Sequence, residues 1–280
     1  MDKLDAIIDR VTSLPPAPRI LPDLLTALHK EEVDAAEVVR LIKFDPVLTA
    51  QVLRRCNSVH FGFAEPAQDL SQAVTRIGMN EIYRLVAGVI GERTLGAAQR
   101  GYGIEQGELW KHSAVTAVVA QTIVRELGGD ESLVFTAALL HDIGKLVLSS
   151  ALEAAYAEVI AKTETGECSF LEAERAILGV DHAEIGGRLL SRWNFPEQIV
   201  RAVWHHHDPA QARPAEQLAA YVHLGDLLAH LLGHGYGIQA YAVRSRPEAL
   251  AILGLRPGDV EPLLLKAAER VEETLALSSP

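Results

Sequence analysis

Ala137-Ala138-Leu139-Leu140-His141-Asp142-Ile143-Gly144-Lys145-Leu146 is an apolar run that ends in chemically capable residues and then turns apolar again. Adjacent His and Asp side chains offer an imidazole nitrogen and a carboxylate oxygen to one divalent ion. Gly144 lets the backbone turn there without interference from a Cβ, and Lys145 adds a cation three residues beyond the aspartate. Apolar neighbours on both sides place the group at the edge of a core, where a charge needs a partner. Read alone, the stretch serves equally well as a helix C-terminus with a lysine capping carbonyls. The rest of the chain has to decide.

On either side of it the hydrophobic pattern is helical. Upstream, Trp110, Val115, Val118, Val119, Ile123 and Leu127 predict a long helix from about residue 108 that ends at Gly128-Gly129. A helix over 131–140 then delivers His141-Asp142. Downstream, helices are expected over 150–162, 170–178 (opened by a Ser169/Glu172 capping box), 183–193 (Asp181 as N-cap) and 196–206. Pro214 opens a long apolar helix through Leu231, and short and long helices close the chain near 247–252 and 259–277. The N-terminal third reads as small capped helices: 4–11, 20–29, one from Asp34 with Glu37 at capping-box spacing, one from Asp45-Pro46, 70–77 and 79–95. No sustained period-2 pattern occurs, and Gly101, Gly103 and Gly107 do not make a nucleotide-binding fingerprint. The fold class expected is all-α. The division expected is an N-terminal helical lobe over 1–100, a core carrying the polar cluster over 101–240 and a C-terminal helical extension over 241–280.

Of the 280 residues, 49 % are apolar, enough for a substantial core. A net charge of -11 disfavours broad electrostatic binding to nucleic acid or an anionic membrane. Arg54, Arg55, Arg76, Arg84, Arg93 and Arg100 read as charged flanks of amphipathic helices. Cys56 and Cys168 are distant in sequence and fit a reducing compartment. The N-terminus is too acidic for a signal peptide, and no uninterrupted apolar run approaches spanning length. A cytoplasmic location is therefore expected.

Eleven histidines are the unusual feature. His29 and His60 are isolated and read as ordinary surface or core histidines. His112, His141-Asp142, His182, His206-His207 and Asp226, in contrast, each interrupt an apolar face or sit at a helix end. Imidazoles and carboxylates are the ligand set of Zn, Fe or Mn sites. Five histidines and two aspartates suit a two-metal centre, with Asp142 as the bridge and Lys145 placed to neutralise a phosphate oxygen. Glu108, four residues before His112 on the same helix, is a further ligand, an acceptor that orients an imidazole, or simply an exposed first-turn residue. His205 is assigned outward. His223 and His230, at i−3 and i+4 from Asp226, compete with it for its role.

In order and spacing these residues resemble the HD superfamily of metal-dependent phosphohydrolases. The likeness is closer to the HDOD group, the HD-related output domains of bacterial signalling proteins. Leu14-Pro15-Pro16, Phe44-Asp45-Pro46-Val47-Leu48, Cys56-Asn57-Ser58, Ala73-Val74-Thr75-Arg76-Ile77-Gly78 and Asp208-Pro209 are similar to that group's runs, over about residues 10–240. The resemblance implies a multi-helical HD-domain-like bundle with a smaller N-terminal lobe. It implies a signal-transduction output or regulatory module as the function, with a signalling protein or a small phosphate or nucleotide ligand as partner and a homo-oligomer as one state. Many members of the group lack metal ligands, whereas here every core position is filled. The alternative is a metal-dependent phosphohydrolase or phosphodiesterase with Asp142 and Lys145 as catalytic residues. Against the related HD-GYP phosphodiesterases, His207 is followed by Asp208-Pro209-Ala210 rather than by Glu and the Asp-Gly-x-Gly-Tyr-Pro run. That argues against cyclic di-GMP hydrolysis.

Overall fold

The structure, a computed structural model, describes residues 20–30, 34–58, 61–153, 155, 158–159, 163, 168–236 and 246–278. The helix expected over 4–11, the Leu14-Pro15-Pro16 run, His60 and part of the helix expected over 150–162 lie outside them. Among the described residues the chain is helical. Its sole β-type pairing is an isolated bridge between Gln99 and Ile104.

Among the described residues five helices precede residue 100: α1 (Ile20–Leu28), α2 (Ala35–Ile42), α3 (Pro46–Cys56), α4 (Leu70–Ile77) and α5 (Met79–Leu95). Their starts follow from side-chain caps. Asp45 Oδ1 accepts from Leu48 N with Pro46 in the first turn, and Asp69 Oδ1 accepts from Gln72 N. Asp34 caps α2 through Ala36 N, but Glu37 does not reach back to complete a capping box. Its carboxylate instead takes two hydrogen bonds from Lys30. Asn57 holds the turn after α3 by donating to Ala67 O and accepting from Ala67 N.

The larger group comprises α6 (Glu108–Leu127), α7 (Glu131–Leu140), α8 (Gly144–Leu152), α9 (Phe170–Leu178), α10 (His182–Arg192), α11 (Glu197–Trp204) and α12 (Glu216–Leu231). After it come α13 (Pro247–Ile252) and α14 (Val260–Ser278). Helix α6 is the axis, packed by α7, α12 and α14, while α10 lies against α8 and α11. Helix α8 differs from expectation: it starts at Gly144, one residue beyond the His-Asp pair. The apolar residues Leu146-Val147-Leu148 surround it on several sides, so no helical period shows in the sequence.

Buried apolar side chains form one cluster that runs from Leu21 to Val271. Tyr83 of α5 joins the two groups of helices; it donates to the Thr136 hydroxyl of α7, which itself donates to Ser132 O. Glu131–Ser149 has the length and apolarity of a membrane span, which the run-length criterion did not register, yet 89 % of it is buried within the fold. It is the core of this bundle, interrupted at His141–Ile143 by the polar turn.

Candidate metal centre

The centre forms where helix ends and one helix face meet. His112 lies on the buried side of α6, one turn in from its start. His141 is the C-cap of α7, and Asp142 follows in the turn before α8. Gly144 is needed for close approach rather than for turning, because its φ is not positive. A Cβ there would stand 1.9 Å from the His182 carbonyl oxygen. Its absence lets the start of α8 touch the first turn of α10. Asp181, the N-cap of α10, accepts from Glu184 N at 2.8 Å, so His182 is the first helical residue. His206 and His207 follow the end of α11, and Asp226 and His230 share one face of α12 at i,i+4 spacing.

Backbone carbonyls fix the imidazoles. The Nδ1–H of His112 donates to His234 O (2.9 Å), that of His141 to Ala138 O (2.7 Å) and that of His206 to Val203 O (2.7 Å). In each neutral ring this leaves Nε2 as a lone pair directed inward. His182 is set by a carboxylate: Glu174 Oε2 accepts from both its backbone N (2.9 Å) and its Nδ1 (2.8 Å), while Glu174 Oε1 accepts from Tyr102. A buried acid behind an imidazole is a common support of metal ligands.

Asp142 is central. Its Oδ1 lies 3.3 Å from His182 Nε2, on the side of His206 and His207. Its Oδ2 lies 3.4 Å from His141 Nε2 and 3.9 Å from His112 Nε2. Lys145 Nζ donates to Oδ2 (2.7 Å) and to the Tyr236 hydroxyl oxygen (2.6 Å), and Tyr236 donates to the same Oδ2. Asp226 Oδ1 is 3.1 Å from His112 Nε2, 3.7 Å from His141 Nε2 and 3.3 Å from His230 Nε2. His182 Nε2 and His207 Nε2 are 2.9 Å apart.

These donors fit a cation. Two ligand atoms at about 2.0–2.1 Å from one tetrahedral ion stand about 3.3 Å apart, which the observed separations bracket. His112 Nε2, His141 Nε2, His206 Nε2 and Asp226 Oδ1 are buried with no hydrogen-bond partner, a cost that ligation would remove. Three trios of donor atoms are close enough to share an ion: His182, His206 and His207; His112, His141 and Asp142; His112, Asp226 and His230. Clustered buried His and Asp residues can thus coordinate metal ions.

The electrostatics agree. Burial lowers the pKa of His112 even against the raising influence of Asp226. Burial and the neighbouring imidazoles hold His206 and His207 well below the usual histidine range. Neutral imidazole is the form that ligates. Burial alone would raise Asp142 and lower His141, but their mutual attraction, with Lys145 on the aspartate, reverses both directions. Asp226 likewise lies well below the carboxylate range: burial opposes this, and the nearby His112, His230 and His141 imidazoles prevail.

His112, His141, Asp142, Lys145, His182, His206, His207 and Asp226 therefore come together in the fold. Glu108 does not join them; it is exposed, and its carboxylate accepts from Glu105 N. His205 stacks on Trp204 instead. His223 is committed elsewhere, with Nδ1 on His206 O and Nε2 accepting from Arg246 N. Sequence reasoning passed over Glu174 and Tyr236 and left His230 only as a competitor to Asp226. A glutamate on the buried face of a short helix was a signal available for Glu174, whereas Tyr236 carried none.

Residues 14–209 match the HDOD domain family. An uncharacterized protein of Treponema pallidum is 28 % identical over 235 residues, which is 78 % of this chain and 43 % of that protein. Ribonuclease Y of Thermus thermophilus is 35 % identical over 102 residues, 36 % of this chain and 13 % of the enzyme. The chain thus spans less than half the length of either curated relative. An HDOD domain protein of unknown function from Geobacter sulfurreducens superposes with a TM-score of 0.69 at 23 % identity, covering 98 % of this chain and 92 % of that one. A helical bundle of this form, carrying the His-Asp cluster at its centre and matched along residues 14–209, places the chain in the HDOD family.

Proposed function

We propose that the chain is a signal-transduction output or regulatory module that holds divalent metal, two ions in all, in a buried centre. The ligands are His112, His141, Asp142, His182, His206, His207 and Asp226, with the Asp142 carboxylate lying between the two groups of imidazoles. One observation carries the reading: His112, His141, Asp142, His182, His206 and Asp226 are each 3 % exposed or less, with Tyr236 and Lys145 closed over Asp142. A catalytic metal keeps a coordination position open to solvent or substrate, whereas a structural or sensory one does not. The partner is a signalling protein, and its binding, rather than turnover, is the output.

A second reading, a metal-dependent phosphohydrolase or phosphodiesterase, draws support from the full ligand set, from Lys145 beside Asp142 and from the partial likeness to ribonuclease Y. A divalent pair would there polarise a phosphoryl oxygen and lower the pKa of a bound water. In that case Lys145 would have to exchange its bond to Asp142 for a phosphate oxygen, and Tyr236 would have to move aside.

Metal analysis of purified protein separates these from a metal-free fold. About two equivalents of Fe, Mn or Zn are expected in wild type, and none in the His141→Ala/Asp142→Ala double variant. Metal-free wild type from a metal-replete preparation would sink both readings. Assays of the loaded protein against cyclic and linear nucleotides and phosphomonoesters are expected to show no metal-dependent turnover. Turnover that vanishes in the double variant would favour the second reading.

A further inference from the structure

The face that α12 turns inward carries His223, Asp226 and His230, and the ligand set above uses only Asp226. His230, one helical turn further on, has its side chain 9 % exposed, with Nε2 3.3 Å from Asp226 Oδ1. Its ring lies against His112 with centroids 4.8 Å apart. The same Asp226 oxygen, buried and without a hydrogen-bond partner, is also approached by His112 Nε2 and His141 Nε2. Three imidazole nitrogens from three helical elements therefore converge on one carboxylate oxygen. His112 and His141, whose Nδ1–H groups are given to carbonyls, present Nε2 lone pairs to that oxygen, so their approach is repulsive unless a cation or a proton stands between them.

The other carboxylate near this group is not free to complete it. Asp142 Oδ2 already takes hydrogen bonds from Lys145 and Tyr236. Asp142 Oδ1 is directed at His182, on the side of the His206-His207 pair. A metal held by His112, His141 and Asp226 thus lacks a fourth donor from Asp142, and His230 stands where one is needed. The HDOD match ends at residue 209, so neither Asp226 nor His230 falls within it.

We propose that His230 is a metal ligand. With His112, His141 and Asp226 it gives one of the two positions four protein donors. The other is built from His182, His206, His207 and Asp142. The inference rests on the metal-binding reading above and adds a ligand to it, with one ion next to α12 and a second on the far side of Asp142. Nothing of this kind follows for His223, whose two nitrogens are both committed to backbone groups.

The test uses the full chain stripped of metal and reloaded with Zn²⁺, and separately with Co²⁺, whose visible absorption is intense when four-coordinate and weak when six-coordinate. Retained zinc is expected to fall from about two equivalents in wild type to about one in His230→Ala, and to be restored in His230→Asp, which keeps a donor. Circular dichroism confirms that each variant is folded; should His230→Ala not fold, His230→Gln takes its place. Wild-type Co²⁺ protein is expected to show an intense band that His230→Ala weakens. Two tightly held zinc ions in His230→Ala, with an unchanged cobalt spectrum, would overturn the role of His230 and leave the metal centre standing. No metal in wild type would overturn the metal reading itself, so the two failures are told apart.

Discussion

At the scale of single residues, the candidate metal centre depends on side chains outside its donor set. Glu174 is wholly buried and accepts three hydrogen bonds, two from His182 and one from Tyr102. It fixes which His182 nitrogen carries the proton and leaves Nε2 as a lone pair facing the Asp142 side. Replacing Glu174 with Gln keeps the shape but removes the charge that holds the Nδ1 proton. Zn²⁺ affinity measured by chelator competition is expected to fall about 10- to 100-fold in Glu174→Gln, with one equivalent affected and the other spared. Equal affinity in variant and wild type would show that Glu174 serves packing alone. The clustering of these His and Asp residues was legible in the sequence because a His or Asp inside an apolar helical pattern is costly without a partner. Glu174 obeys the same rule and was missed because a glutamate in a short helix also passes as an exposed residue. The spacing that linked Glu108 to His112 is real, but a first-turn carboxylate found a nearer donor in the Glu105 N–H.

At the scale of helices, Asp130 ties α1 to α7. Its Oδ1 caps α7 by accepting from Ser132 N and Leu133 N, and its Oδ2 accepts from His29 Nε2 at 2.5 Å. The other ring nitrogen, Nδ1, donates to Leu25 O at 2.7 Å, so both nitrogens face acceptors and the imidazolium satisfies both. Burial alone would lower the pKa of His29, but these hydrogen bonds and the Asp130 charge raise it. A histidine whose pKa is raised on folding contributes stability fully below its unfolded pKa of about 6.5, and that contribution is lost as pH rises through the folded pKa. Both side chains are more than a third exposed, so solvent screening limits the gain to about 1 kcal/mol or less. Urea unfolding of His29→Gln is expected to show a deficit against wild type near pH 5.5 that disappears near pH 8.5; a deficit that grew with pH would contradict the pairing. Helix starts with an Asp or Ser cap could be read from sequence, as at Asp45, Ser169 and Asp181. The start of α8 could not, since neither a cap nor a period marks it.

At the scale of the molecule, the candidate metal centre and the core are one structure. The histidines and aspartates come from α6, the α7–α8 turn, α10, the end of α11, and α12, helices that also pack against one another around α6. Without a cation, several buried nitrogens and an aspartate oxygen lack partners, and the rings face one another across a short gap. Bound metal would satisfy those groups in the folded state only, because the unfolded chain scatters the ligands over more than a hundred residues. Linkage then sets the effect: a metal present at 100 times its dissociation constant adds about 2.7 kcal/mol per site. At about 2–4 °C per kcal/mol for a chain somewhat smaller than this one, melting should rise by about 5–10 °C for each site filled. The rise should be absent in the His141→Ala/Asp142→Ala variant and halved in His230→Ala. Chelator-treated and metal-replete wild type that melt together would mean that the bundle gains nothing from the ion. The same result would leave the unpartnered nitrogens at its centre without a physical account.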